Sequence, residues 1–306
     1  MQQRPGMTVP LPGHLHAQRD NYKKLADLGY TDIWSAESDG ADAFTPLAMA
    51  AAWEPRLRLG TAIVPAYTRS PALMAQSVAT LAAIPFDEPY KKVRDIVRFL
   101  HDALTGEKIT KQYDTFKVDG FRLGIRPEEK PQILVAALRE GMLKLAGREA
   151  DGAIINWLSA DDVTKVVGVV NDAAKKSQNP GEREIVARIF VCPSENADLI
   201  RESAKRLIAA YLTVPVYAEF HRWLGRAEKL QPMWDLWKAG DRKGAVAAIP
   251  NEVVDQLFVH GSAAKCRETI KRYFDNGVTT SSLAIVAFDP EVNFWDCAEA
   301  LAPTAV

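Results

Sequence analysis

Short apolar runs alternate with amphipathic helices along most of this chain, and that alternation limits the fold more than any other feature. MTVPL (7–11) reads as a strand weakened by Pro10. Residues 20–28 read as a helix with Tyr22, Leu25 and Leu28 on one side, stopped by Gly29. DIWSAE (32–37) is a strand, and the helix from Phe44 to Trp53 must end before Pro55. LRLGTAIV (57–64) is a strand of the kind buried on both faces. Ser70-Pro71 supplies an N-cap and first-turn proline for a helix carrying Leu73, Met74, Val78 and Leu81. Val93, Ile96, Val97, Leu100 and Leu104 mark another helix, ended by Gly106. QILVA (132–136), a helix over 141–149 and GAIINW (152–157) continue the rhythm. SADD (159–162) is a capping box for the helix bearing Val163, Val166, Val167 and Val170. IVARIFVC (185–192) and SLAIVA (282–287) are the last strands. Between them, 196–277 reads as successive helices.

Apolar strands alternating with helices imply parallel strands joined by right-handed crossovers. The count is seven, and eight would close a (β/α)8 TIM barrel. The absent strand falls between Ala83 and Ile84, where one helical run meets IPFDEP directly. A deletion would leave two open strand edges. The alternative, taken here as the expectation, is a segment left out with the numbering closed across the gap. An open doubly wound sheet is disfavoured because no GxGxxG follows a strand. The expected organisation is one barrel domain over 1–306, with a helical insertion at about 196–277 between strands 7 and 8.

The net charge of −1 gives no electrostatic reason for a nucleic-acid or anionic-membrane partner. No apolar run approaches the ~20 residues of a membrane span, and no signal-peptide core opens the chain. Cys192, Cys266 and Cys297 lack CxxC spacing, read as packing residues and fit a reducing cytoplasm.

Catalytic groups in such a barrel sit where strands end at the C-terminal face. Glu37, Ser38 and Asp39 follow the second strand, Pro65 to Arg69 the third and Asn156 to Ser159 the sixth. Glu37 and Asp39 are candidates for orienting a ring or donating protons, against a bland reading as loop caps. LREGM (138–142) lies between a strand and a helix start, where free N–H groups and the helix dipole favour an anion. His14-x-His16 raises a rival, a metal-dependent amidohydrolase, with Asp289 in the position of its last ligand. QILVAALRE and GAIINWLS lack the further histidines that site needs, so no metal is expected. His14 or His16 is instead a candidate for the substrate side of the pocket. Trp223, Trp234, Trp237 and Tyr217 in the insertion read as core or interface before pocket wall.

Three long runs carry a family resemblance: DIWSAESDGADAFTPLAMAAAWEPRLRLGTAIVPAYTRSPALMAQSVATLA, IPFDEPYKKVRDIVRFLHDALTGE and PQILVAALREGMLKLAGREADGAIINWL. They resemble the bacterial luciferase-like monooxygenase superfamily, in the branch that uses the deazaflavin coenzyme F420 in actinobacteria. The resemblance covers most of residues 25–160 and, more weakly, the last strand. It implies an oxidoreductase that exchanges a hydride between F420 and a small organic substrate. Flavin members share most of the pattern, so an FMN-dependent monooxygenase is the alternative, and a catalytically inactive cofactor-binding barrel another. The resemblance implies a cofactor ring against the third strand at Thr61, Ala62 and Ile63, with a cis peptide at Ala62–Ile63. It also implies cofactor contacts at Ala136 and Ala137 and a cofactor phosphate at Leu138, Arg139, Glu140, Gly141 and Met142. Members often have Gly-Pro where this chain has Arg139-Glu140, and deazaflavin sugar-phosphate dehydrogenases have Asp-His where it has Ser38-Asp39. These departures argue against the same acid–base chemistry and substrate. After ATLAA, members run through SGGRFxLGxG, the fourth strand, which is absent here. A homodimer is implied by resemblance alone.

Overall fold

The structure is a computed structural model that describes residues 3–9, 11, 18–37, 43–64, 88–123 and 129–304. The first three strands are β1 (Arg4–Val9), β2 (Asp32–Ala36) and β3 (Arg58–Ile63), separated by α1 (Arg19–Asp27) and α2 (Phe44–Trp53). Helix α3 (Pro89–Ala103) leads into a hairpin of β4 (Ile109–Gln112) and β5 (Lys117–Phe121). Then come β6 (Leu134–Ala136), α4 (Glu140–Glu149), β7 (Gly152–Asn156), α5 (Ala160–Ala174) and β8 (Glu184–Cys192). Five helices follow: α6 (Ala197–Leu212), α7 (Pro215–Trp223), α8 (Ala227–Lys238), α9 (Arg242–Ala247) and α10 (Asn251–Leu257). The chain closes with β9 (Val259–His260), α11 (Ala263–Asp275), β10 (Thr280–Ile285) and α12 (Phe294–Ala300).

Seven parallel strands run in the order β3-β2-β1-β10-β8-β7-β6, and β9 adds briefly to the end of β8. This is the neighbour order of a (β/α)8 barrel with its fourth place vacant among the described residues. The Ala83–Ile84 junction and the helix expected after Ser70 lie outside those residues. Among described residues, β3 and β6 border the vacant place. The side chain of Arg58 on β3 spans it, donating from Nη1 to Gln132 Oε1 at 3.1 Å.

Period-two alternation turns one set of side chains into the barrel. At its floor Arg58 pairs with Asp32 and Glu184, donating to Glu184 Oε2 at 2.9 Å. Arg4 holds Asp32 at 2.9 Å, and the Thr280 hydroxyl donates to Glu184 at 2.6 Å. Burial pushes the Glu184 carboxyl up, but its bonds from Arg58 and Thr280 and the charge of Arg4 outweigh that and hold it below its ordinary value. Above the floor, Trp34 packs with Ala62, Ile154 and Val186 and fills the interior. Gly60 permits this, because a Cβ there would lie 2.4 Å from the indole ring.

The outer helices pack as their apolar periodicity predicts. The Ser159–Asp162 capping box forms, and Arg226 seals it with an Nη2–Asp162 Oδ2 contact of 2.8 Å. The hairpin was not predicted; Ile109, Tyr113, Phe116 and Phe121 pack it on Phe99 of α3. Within the helical stretch read as 196–277, α6 to α10 build a separate apolar cluster over Trp157, Phe190 and Ala284. The last helix, α11, instead joins the main barrel core through Cys266 and Tyr273. Trp234 is buried in the insertion, its Nε1 donating to Leu212 O at 2.8 Å, as the packing reading expects. All three cysteines are buried, and burial pushes the Cys266 and Cys297 thiols up to about 12. No described helix is long and apolar enough to cross a membrane.

Candidate active site

The inward-facing positions nearest the C-terminal ends of the strands divide by chemistry. On β2, β3 and β6 they are Ala36, Ala62 and Ala136. On β7 it is Asn156, which pairs in register with Arg188, an inward position midway along β8. The β2–β3 register slips here: Ser35 pairs with Thr61 but Ala36 pairs with Ile63, leaving Ala62 as an extra residue. Bulges of this kind recur beside active sites because they re-aim a side chain. A cavity of about 650 Å³ opens at this point between β3, β6 and α3. Thr61, Ala62, Ile63 and Ala136 line it near the mouth, with Met142 and Ile154 beside them. Its walls are mainly apolar side chains, and its volume suits a small-molecule site.

The other expected contacts sit around this mouth with different exposures. Ala137 is buried in the barrel core and Leu138 packs against it. Arg139 is the exposed N-cap of α4, with extended backbone and no side-chain cap bond. Glu140 occupies the first turn, where Lys144 at 2.5 Å pulls its carboxyl below the ordinary value. Gly141 faces open space. Glu37 accepts a hydrogen bond from Ala43 N at 3.1 Å at the start of α2, a capping contact. His14, His16, Ser38 and Asp39 lie outside the described residues. Asp289, the one acid of the metal-site rival within them, accepts from Ser194 Oγ at 2.5 Å and Glu291 N at 3.0 Å. His101 bonds Glu149 O, and His260 bonds Asp255.

Sequence reading passed over the polar side of the mouth. Arg188 is the only charged residue in IVARIFVC, which was the available signal. Its guanidinium lies 4.7 Å from the Phe190 ring centroid. Phe190 stacks on Trp157 at 4.2 Å, and Tyr211 meets Trp157 in a tilted contact at 5.0 Å. Trp157 holds a left-handed backbone (φ 54°), an uncommon conformation for a bulky residue. Tyr217 of α7 completes the wall; burial and Tyr211 push its hydroxyl pKa up, while Asn156 and Arg188 draw it back.

His221 on the same helix is fully buried, and neither ring nitrogen has a hydrogen-bond partner among the described residues. Burial, aided by the Arg226 charge, lowers its pKa to about 3. The unfolded chain therefore takes up a proton near pH 6.5 that the folded chain refuses until about pH 3. Stability is accordingly expected to fall between pH 6.5 and 4.5 with a slope approaching ~1.4 kcal/mol per pH unit. Thermal melts of His221→Phe should lose this slope; an unchanged profile would assign it to other groups.

A sequence model described as luciferase-like monooxygenase matches residues 1–85 and 82–280. The two matches meet where the fourth strand is absent from the sequence. The chain is 23% identical over 287 residues to the 5,10-methylenetetrahydromethanopterin reductase of Methanolobus tindarius, covering 85% of this chain and 87% of that one. The coenzyme F420 dependent tetrahydromethanopterin reductase of Methanopyrus kandleri superposes with a TM-score of 0.79 at 18% identity, over 99% of this chain and 98% of that one. The oxygenating constituent of 3,6-diketocamphane monooxygenase from Pseudomonas putida, in complex with FMN, gives 0.60 at 15% identity, over 100% and 98%.

Proposed function

Because the chain belongs to the luciferase-like monooxygenase family, we propose that it is an oxidoreductase that binds coenzyme F420 at the barrel mouth and acts on a small organic substrate. The carrying observation is the closer likeness to the F420-dependent reductase, 0.79, than to the FMN complex, 0.60. The residues present fit a flat ring: Ala36, Ala62 and Ala136 leave the β2, β3 and β6 side of the mouth free of bulk, beside a cavity of about 650 Å³. When bound, the cofactor supplies hydride transfer, and the protein supplies position and exclusion of water.

In this reading Thr61, Ala62 and Ile63 hold one face of the ring, and Ala136 and Met142 its edge. Ala137 and Leu138 fix the start of α4. Arg139 and the free N–H groups at Glu140 and Gly141 would hold the phosphate, since helix N-termini favour anions. The Glu140 carboxylate opposes an anion there, and Lys144 offsets it. Glu37 shapes the loop by capping α2. Asp39 remains a candidate for proton transfer, and His14 or His16 for the substrate side of the pocket. The same proposal takes the chain as one domain, located in the cytoplasm, able to form a homodimer, with no nucleic-acid or membrane partner.

Fluorescence titration of the purified chain with F420 and with FMN tests the reading. F420 is expected to bind about tenfold more tightly or better, a difference of ~1.4 kcal/mol. The reverse order would make it a flavin enzyme. Binding of neither would favour an inactive barrel.

A further inference from the structure

We propose that Arg188 and Asn156 form a substrate carboxylate subsite in the barrel mouth, backed by the buried rings of Trp157 and Phe190. The inference rests on the oxidoreductase reading for its role, and on the geometry below for its chemistry.

Arg188 makes no hydrogen bond or ion pair with any described residue, and its Nε is buried without a partner. The other described arginines at inward strand positions are tied to acids: Arg4 to Asp32, and Arg58 to Asp32 and Glu184. An unpaired guanidinium in a partly buried place is costly, so a site that keeps one is built to receive a counter-charge. Asn156 stands on the neighbouring strand in register with Arg188 and is 7% exposed. Its Oδ1 is used by Trp157 N at 2.9 Å, and its buried Nδ2 meets no partner in hydrogen-bond geometry, with the Tyr217 hydroxyl as its neighbour. Trp157 Nε1 is a second such donor.

The unmet groups are therefore all donors, and one carries a fixed positive charge. Their complement is an anionic acceptor. The guanidinium fork matches a planar carboxylate through two parallel bonds. The Phe190–Trp157 stack, itself buried, backs the guanidinium with apolar surface and gives it no competing acceptor. The position is across the mouth from Ala36 and Ala62, with Ala136 on the strand next to Asn156, so a substrate anchored at Arg188 would reach toward the proposed ring.

Benzoate is the probe, and benzamide its neutral isostere. Calorimetric titration of the full-length chain should show benzoate binding about tenfold or more tightly than benzamide. Arg188→Gln should remove that preference, and Arg188→Lys, which keeps the charge but not the fork, should retain part of it. Asn156→Asp keeps the acceptor for Trp157 N but sets an internal carboxylate against Arg188, so it should abolish benzoate binding with an unchanged or raised melting temperature. Equal binding of benzoate and benzamide, or undiminished benzoate binding by folded Arg188→Gln, would overturn the subsite. So would an Arg188→Gln protein that loses F420 and keeps benzoate, since Arg188 would then serve the cofactor. Titrating the wild-type chain with F420 separately keeps the two readings apart: failure there with Arg188-dependent benzoate binding removes the cofactor assignment and leaves the subsite standing.

Discussion

Arg58→Ala is expected to lower folding stability by about 3–5 kcal/mol, the usual cost of stripping a buried charge of its partner. Asp32 keeps Arg4, so the damage concentrates on Glu184, which is 2% exposed and would retain only the Thr280 hydroxyl as a bonded partner. The pH dependence identifies the cause. In the wild type, Arg58 helps hold the Glu184 carboxyl below its ordinary value. Without Arg58, burial would act with less opposition and raise that carboxyl, so the variant should regain stability as the pH falls through the raised value. Adding Glu184→Gln should recover part of the loss at neutral pH. Urea denaturation at pH 7.5 and 5.5 reads both effects, and an equal deficit at the two values would rule out Glu184 as the source.

Gly60→Ala is the second large effect, and it acts through Trp34. The new methyl would sit 2.4 Å from Cε3 and Cζ3 of an indole that is 3% exposed and packed against Ala62, Ile154 and Val186. The ring has nowhere to retreat without displacing those neighbours, so a loss of ~1–3 kcal/mol is expected, as for other overpacked cores. Trp34 packs against Ala36 and Ala62, so its displacement should also weaken ligand binding at the mouth. Shortening the ring by Trp34→Leu should relieve the strain. In a double-mutant cycle the two substitutions should then couple by ~1 kcal/mol or more. Simple additivity would show that Gly60 is tolerated for a reason unrelated to the indole.

Local pattern fixed much of the scaffold in advance. The helix at 44–53 begins and ends where its apolar run and Pro55 require, and Ser159 and Asp162 close the expected box. The hairpin at 109–121 escaped because its strands are short and their side chains mostly polar; only packing on Phe99 gives them a buried face. The third strand was placed correctly, and its register against β2 slips at Ala62, where the resemblance implies the cofactor ring. The two histidines and Asp39 lie outside the described residues, while Glu37, read as a candidate acid, engages a helix start.

What the chain determines by itself is the order and direction of its strands. Alternating periodicities of two and 3.6 residues are local properties, and parallel crossovers follow from them. The same arithmetic exposes the missing fourth strand. Which inward side chains meet is a different matter, because it depends on register between strands far apart in the sequence. Arg58 and Glu184 are 126 residues apart, yet form one ion pair. Arg188 and Asn156 look unremarkable in their own strands; side by side in the sheet, they bring together a guanidinium Nε and an amide Nδ2 that no described residue satisfies. Charge and hydrogen-bonding capacity are written in the sequence, but satisfaction is a property of neighbours, and only the tertiary structure assigns those.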